Sequence, residues 1–80
     1  MDIKQVENLG ARIQRLRKEK GLSQDQLARE ADVPYTTLTK IEIGVIQKPS
    51  VFAVAKIAKG LGISLDDLMQ QYGQINNKVR

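Results

Sequence analysis

The apolar positions of the chain recur at helical spacing from near its start. Val6, Leu9, Ile13 and Leu16 fall three and four apart, which puts them on one stripe and predicts an amphipathic helix over residues 6–20. Gly21 stops it. Residues 23–26 read S-x-x-Q: the Ser23 hydroxyl accepts from a free first-turn N–H and Gln26 reaches back to the serine's own N–H, so a second helix starts there. Its inward face is Leu27, Ala28 and Ala31, and Asp32 follows where the chain turns, with a side chain that tolerates left-handed backbone better than most. Pro34 keeps Val33 out of helical geometry and presets its own φ, which starts a third helix over residues 34–42. Leu38 and Ile41 face inward on it, leaving Tyr35, Thr36, Thr39 and Lys40 outward.

Gly44 closes the third helix, and Pro49-Ser50 announces a fourth. Phe52, Val54, Ala55, Ile57, Ala58 and Leu61 are its apolar residues, Lys56 and Lys59 its solubilising wet side, and Gly60 and Gly62 its end. Ser64-x-x-Asp67 caps a fifth helix carrying Leu65, Leu68 and Met69, with Asp66 and Asp67 in the first turn, where the helix dipole favours anions. The last residues are polar apart from Tyr72, Ile75 and Val79. With no strand alternation, low-complexity run or solenoid repeat, the pattern predicts an all-α fold of five short helices. They form one compact domain over residues 1–70, followed by a polar C-terminal tail over residues 71–80.

Charge and chemistry narrow the function. Eighty residues without a cysteine hold together by hydrophobic packing alone, and the lack of thiols suits a reducing cytoplasm. No stretch approaches the roughly 18 apolar residues that a membrane span needs. Thirteen Lys and Arg against nine Asp and Glu give a formal charge of +4, a balance that favours a polyanionic partner. Five cations, Arg12, Arg15, Arg17, Lys18 and Lys20, crowd the first helix with Glu19 as the one anion among them, so this helix is expected to carry a positive face. With no histidine, no cysteine and no glycine-rich phosphate loop, the chain is not expected to be an enzyme, nor to hold a metal or cofactor.

Two short helices joined by a tight turn, the second presenting polar side chains outward, suit a B-DNA major groove, which admits one helix. Residues 24–42 have that form. The run L-S-Q-D-Q-L-A-R-E-A-D-V-P-Y-T-T-L-T-K-I-E-x-G, followed by K-P-S and L-G-I-S-L-D-D-L, resembles the XRE/Cro-type, lambda-repressor-like helix-turn-helix group over roughly residues 9–70, without a gap. The resemblance implies a sequence-specific transcriptional regulator, a repressor, that binds double-stranded DNA with its third helix in the major groove. It implies that Glu42 pairs with Arg17 as a buried structural bridge, and it puts Gln24 on a phosphate or an outer base. Tyr35, Thr36 and Lys40 match the base-reading positions, with Thr37 and Thr39 beside them. Arg12, Gln47, Lys48 and Ser50 are the expected phosphate clamps, which give affinity and salt dependence without sequence choice.

The chain departs from that group's pattern in three places. Asp32 stands where glycine is usual, and Pro34 replaces a serine or threonine cap, losing about 1 kcal/mol of capping for a preset φ. Ile43, Val45 and Ile46 take places that are commonly polar or basic; they are expected to pack under the loop, with contact to a partner protein as the alternative. The rival function is a helix-turn-helix fold used for protein binding, as in an antitoxin subunit, since fold does not settle function. The resemblance further implies a homodimer joined around residues 61–64, Met69 and Tyr72, with no small-molecule effector.

Overall fold

In the computed structural model, which describes residues 7–69, five helices follow one another. These are α1 (Leu9–Glu19), α2 (Gln24–Ala31), α3 (Tyr35–Glu42), α4 (Val51–Leu61) and α5 (Leu65–Leu68). No strand occurs among the described residues. Val6 and the tail with Tyr72, Ile75 and Val79 lie outside them.

Local chemistry explains most of the boundaries. The Asn8 side chain accepts from the Ala11 N–H at 2.8 Å, so α1 begins at Leu9. At α2 both halves of the capping box are made: Gln26 N–H to Ser23 Oγ at 3.0 Å, and Ser23 N–H to Gln26 Oε1 at 2.8 Å. Asp32 ends the helix in the left-handed region at φ 60°, as its short polar side chain allows. Pro34 is the residue before α3 and not its first turn. Its φ of −62° suits a helix, but ψ of 141° keeps it extended, and its carbonyl accepts from Leu38 N–H.

Every helix contributes to one core. Ile13 of α1, Leu27 of α2, Leu38 and Ile41 of α3, Ile57 and Leu61 of α4, and Leu68 of α5 are all essentially inaccessible to water. α2 crosses α4 and also packs on α3; α1 packs on α3, and α5 on α4. Two glycines set how closely the helices approach. A Cβ at Gly60 would meet the Ala31 amide nitrogen at 2.9 Å, and one at Gly10 would run into the carbonyl oxygens of Ile41 and Glu42.

Several expectations change. Gly60 lies inside α4, and Gly62 alone ends it at φ 77°. Phe52 and Ala55 do not face the core: Phe52 is 78% exposed and Ala55 is exposed too, because the inward stripe of α4 runs through Val54, Ile57, Ala58 and Leu61. Of the three apolar loop residues only Ile46 packs against the core, while Ile43 and Val45 are 68% and 65% exposed. Leu61 is buried, which removes it from the surface expected to join two copies.

Candidate nucleic-acid interface

The two faces of α3 are separated by what holds one of them in place. On the inner side Leu38 and Ile41 enter the core, and Glu42 closes the helix with its carboxylate fully shielded. Arg17 of α1 meets that carboxylate with two prongs, Nε to Oε2 at 2.8 Å and Nη2 to Oε1 at 3.2 Å, and its Nη1 donates to the Leu22 carbonyl at 2.8 Å. A buried charge pair is tolerable only when geometry and hydrogen bonds are this complete, and among the described residues no buried polar side-chain atom lacks a partner. Arg17 therefore anchors α3 to α1 and belongs to the frame, as the resemblance implies.

The outer side carries the polar set. Tyr35 is 49% exposed, and Thr36 and Lys40 are exposed on the same helix; Thr37 and Thr39 are half-buried. Thr39 Oγ1 donates to the Thr36 carbonyl at 2.9 Å, so its hydroxyl proton is already committed. Pro34 supplies no side-chain cap, which leaves the first-turn N–H groups of α3 directed out of the helix end. The Lys40 carbonyl accepts from Val45 and Ile46 N–H at 2.9 and 3.1 Å, tying the following loop to α3. Gln47 and Lys48 are exposed in that loop, and exposed Ser50 caps α4 through its Oγ on Ala53 N–H at 3.1 Å.

Gln24, the first residue of α2, is half-buried, and its Nε2 donates to Glu42 Oε1 at 3.0 Å. The side chain is thus fixed on the buried pair and not a loosely solvated one. Sequence reasoning missed this link, since it joins residues 18 apart in sequence on helices whose relative placement periodicity does not give.

Arg12, an expected phosphate clamp, is engaged within the fold. Its Nε donates to the Leu68 carbonyl at 2.8 Å and its Nη2 to the Asp67 carbonyl at 2.9 Å, so the guanidinium closes the C-terminal end of α5, where the helix dipole favours a cation. Its partners are main-chain atoms 55 and 56 residues away and leave no side-chain signal in the sequence. Asn8 is different: a capping residue just ahead of a periodic apolar run is a readable start signal.

The positive face expected of α1 is largely cancelled. Arg15 donates to Glu7 at 2.9 and 3.0 Å and to Glu19 at 3.0 Å. The Arg15 hydrogen bond holds the Glu7 carboxyl below its ordinary range, and the hydrogen bonds that Arg15 donates, to Glu7 first and then to Glu19, raise its guanidinium further. Arg12 and Arg17 are turned into the fold and Arg15, though exposed, is held by the two carboxylates, so Lys18 and Lys20 are the further exposed cations of this stretch. What remains beside α3 is a surface of mixed donors: an ammonium at Lys40, hydroxyls at Tyr35 and Thr36, and Lys48 on the flank. Lysine donates to guanine O6 and N7, threonine offers a hydroxyl and a methyl, and a tyrosine ring packs on thymine methyls. Among the described residues no cluster of metal-ligating side chains occurs, and no helix is long and apolar enough to cross a membrane.

Comparison with known proteins agrees with this geometry. The pattern of the helix-turn-helix family matches residues 13–68. The HTH-type transcriptional regulator SlrR of Bacillus subtilis is 37% identical over 71 residues, which is 89% of this chain and 47% of that protein. SinR of Bacillus subtilis and SinR of Bacillus licheniformis, also HTH-type transcriptional regulators, are each 35% identical over 63 residues, 79% of this chain and 57% of theirs. The chain spans about half the length of these curated relatives. A crystal structure of SinR, described as the master regulator for biofilm formation, in complex with DNA matches with a TM-score of 0.71 at 36% identity. The match covers 76% of this chain and 97% of that one.

Proposed function

This chain belongs to the helix-turn-helix family, and from that premise we propose that it is a sequence-specific DNA-binding transcriptional regulator, a repressor without enzymatic activity, which reads duplex DNA with α3 in the major groove. The observation that carries the reading is the division of α3: Leu38, Ile41 and Glu42 are locked into the frame while Tyr35, Thr36 and Lys40 stand exposed on its other side. A rigid helix with a polar outer face is what direct base readout requires.

In this reading Tyr35, Thr36 and Lys40 contact bases, with Thr37 and Thr39 supporting them. Gln47, Lys48 and Ser50 hold phosphates on one flank, and the first turn of α2 at Gln24 does so on the other. Arg12 is left out. The protein acts as a homodimer in the cytoplasm on an operator with inverted half-sites about one helical turn, roughly 34 Å, apart, and represses by excluding polymerase. Residues 1–70 are the DNA-binding domain and 71–80 a tail; Gly62, Ile63, Ser64, Met69 and Tyr72 are the remaining candidates for the dimer contact. The relatives' roles as regulators, and SinR's crystallisation with DNA, support the reading.

The test is selection from a randomised duplex pool, followed by fluorescence-anisotropy titration of the enriched sequence in a salt series. Enrichment of an inverted repeat, with affinity falling steeply as salt rises, is the expected result. Failure to bind any duplex at low salt would instead favour docking of a partner protein. The exposure of Ile43 and Val45 supports that second reading and makes them its first residues to test.

A further inference from the structure

We infer that Ile43 is a specificity-determining residue: it extends the outer stripe of α3 by one turn and recognises the 5-methyl group of a pyrimidine in the major groove, which in unmodified DNA is that of thymine. The inference rests on the DNA-binding reading above and deepens it, adding an apolar contact to the polar ones.

Ile43 lies three residues beyond Lys40 and seven beyond Thr36, spacings that return a helical side chain to the same face. Burial agrees with the spacing. Leu38, Ile41 and Glu42 are buried on one side of the helix, while Thr36, Lys40 and Ile43 are exposed on the other, Ile43 by 68%. The backbone at Ile43 has not yet left the helix: φ of −91° and ψ of 0° stay in the right-handed region, and its N–H donates to the Thr39 carbonyl at 3.0 Å. The chain turns away only at Gly44, with φ 90°. That turn is fastened to α3, because Val45 and Ile46 N–H both donate to the Lys40 carbonyl, at 2.9 and 3.1 Å. A β-branched side chain with few rotamers is thus held at a fixed place on the outer stripe. Val45 is 65% exposed but lies beyond the Gly44 turn, off the helical stripe, and has no part in the inference.

Eight residues of α3 measure about 12 Å at 1.5 Å each, close to the width of the major groove, roughly 12 Å. A side chain at the last turn therefore stays within reach of base edges when the outer face enters the groove. On those edges guanine, adenine and cytosine present hydrogen-bonding groups alone, and thymine adds a methyl. An isoleucine side chain makes no hydrogen bond, so against a polar edge or a phosphate it displaces water and returns nothing. Against a methyl both surfaces leave water, which favours binding by about fourfold for one group of that size.

The parent chain and its Ile43→Ala and Ile43→Val variants are titrated against the selected duplex, and against copies in which one symmetry-related pair of thymines at a time becomes deoxyuridine. That exchange removes a methyl and keeps every hydrogen-bonding group. Thermal unfolding run beside it should show all three proteins folded, since the side chain is exposed. One thymine position is expected at which uracil weakens the parent about fourfold per half-site, Ile43→Val by nearly as much, and Ile43→Ala not at all. At that position 5-methylcytosine paired with guanine should bind the parent more tightly than cytosine by a similar factor, with Ile43→Ala blind to the difference; this arm separates the methyl from the O4 acceptor of thymine. Uracil penalties that persist unchanged in Ile43→Ala, a parent indifferent to uracil at every position, or an Ile43→Ala loss equal on all duplexes would overturn the inference while leaving DNA binding standing. A parent that binds no duplex would overturn both.

Discussion

Gly60 crosses Ala31 with no room for a side chain between them: a Cβ at position 60 would lie 2.9 Å from the Ala31 amide nitrogen and 3.0 Å from its Cα and Cβ. Glycine inside a helix normally costs about 1 kcal/mol relative to alanine, so Gly60→Ala would stabilise an isolated α4. Here the added methyl meets backbone, which cannot rotate aside, and overpacking of this kind costs roughly 1–3 kcal/mol. Gly60→Ala is therefore expected to lower the urea midpoint. A raised midpoint would show that α2 and α4 are further apart than described.

The Arg17–Glu42 pair should prove expensive to break and cheap to replace. Glu42→Ala leaves a shielded guanidinium without its counter-charge and is expected to destabilise by about 3–5 kcal/mol. The double change Arg17→Met with Glu42→Leu removes both charges and should recover most of that loss. Urea unfolding of Arg17→Met, Glu42→Leu and the double variant measures the coupling directly; additive losses would contradict a shared buried pair.

Arg12→Ala separates a structural arginine from a phosphate contact. Loss of the two bonds to α5 carbonyls is expected to cost roughly 1–3 kcal/mol of stability, with no change in the slope of log affinity against log salt. A slope shallower by about one unit would return Arg12 to the DNA surface.

Acid should weaken the junction ahead of α1. Glu7 has its folded-state pKa lowered, chiefly by the hydrogen bond from Arg15, so its contribution to stability is present above the unfolded carboxylate range and is lost as pH falls through the lower folded value. The effect is small, because the Glu7 and Arg15 side chains are 28% and 42% exposed and solvent screens such pairs. Glu7→Gln is expected to lower the Tm slightly at about pH 7, with the gap to the parent closing at about pH 2. An equal gap at both pH values would assign the loss to packing.

Much of the fold was legible because local chemistry marks helix ends: the Ser23–Gln26 box, left-handed Asp32 and the Ser50 and Ser64 caps all appear where their spacing puts them. The third helix's inner and outer residues were legible too, since Leu38 and Ile41 fix which side is buried. Other features depend on how helices cross. Gly60 reads as a terminator but serves a close approach, and Phe52 reads as core but sits on the wet side of α4, because an apolar residue alone does not reveal which stripe is covered. The charges of α1 misled most. Composition counts five cations between residues 12 and 20, whereas the fold turns Arg12 and Arg17 inward and neutralises Arg15 with Glu7 and Glu19.

The central claim is that the outer face of α3 reads base edges, and Lys40→Ala tests it most directly. Lys40 is exposed on α3, so its truncation should leave the thermal midpoint nearly unchanged. Titration of the parent and the variant against the selected duplex and its single-position changes should show a loss of about 1–3 kcal/mol, with relaxed preference at one base position. Unchanged affinity and unchanged preference in a folded Lys40→Ala protein would contradict the account.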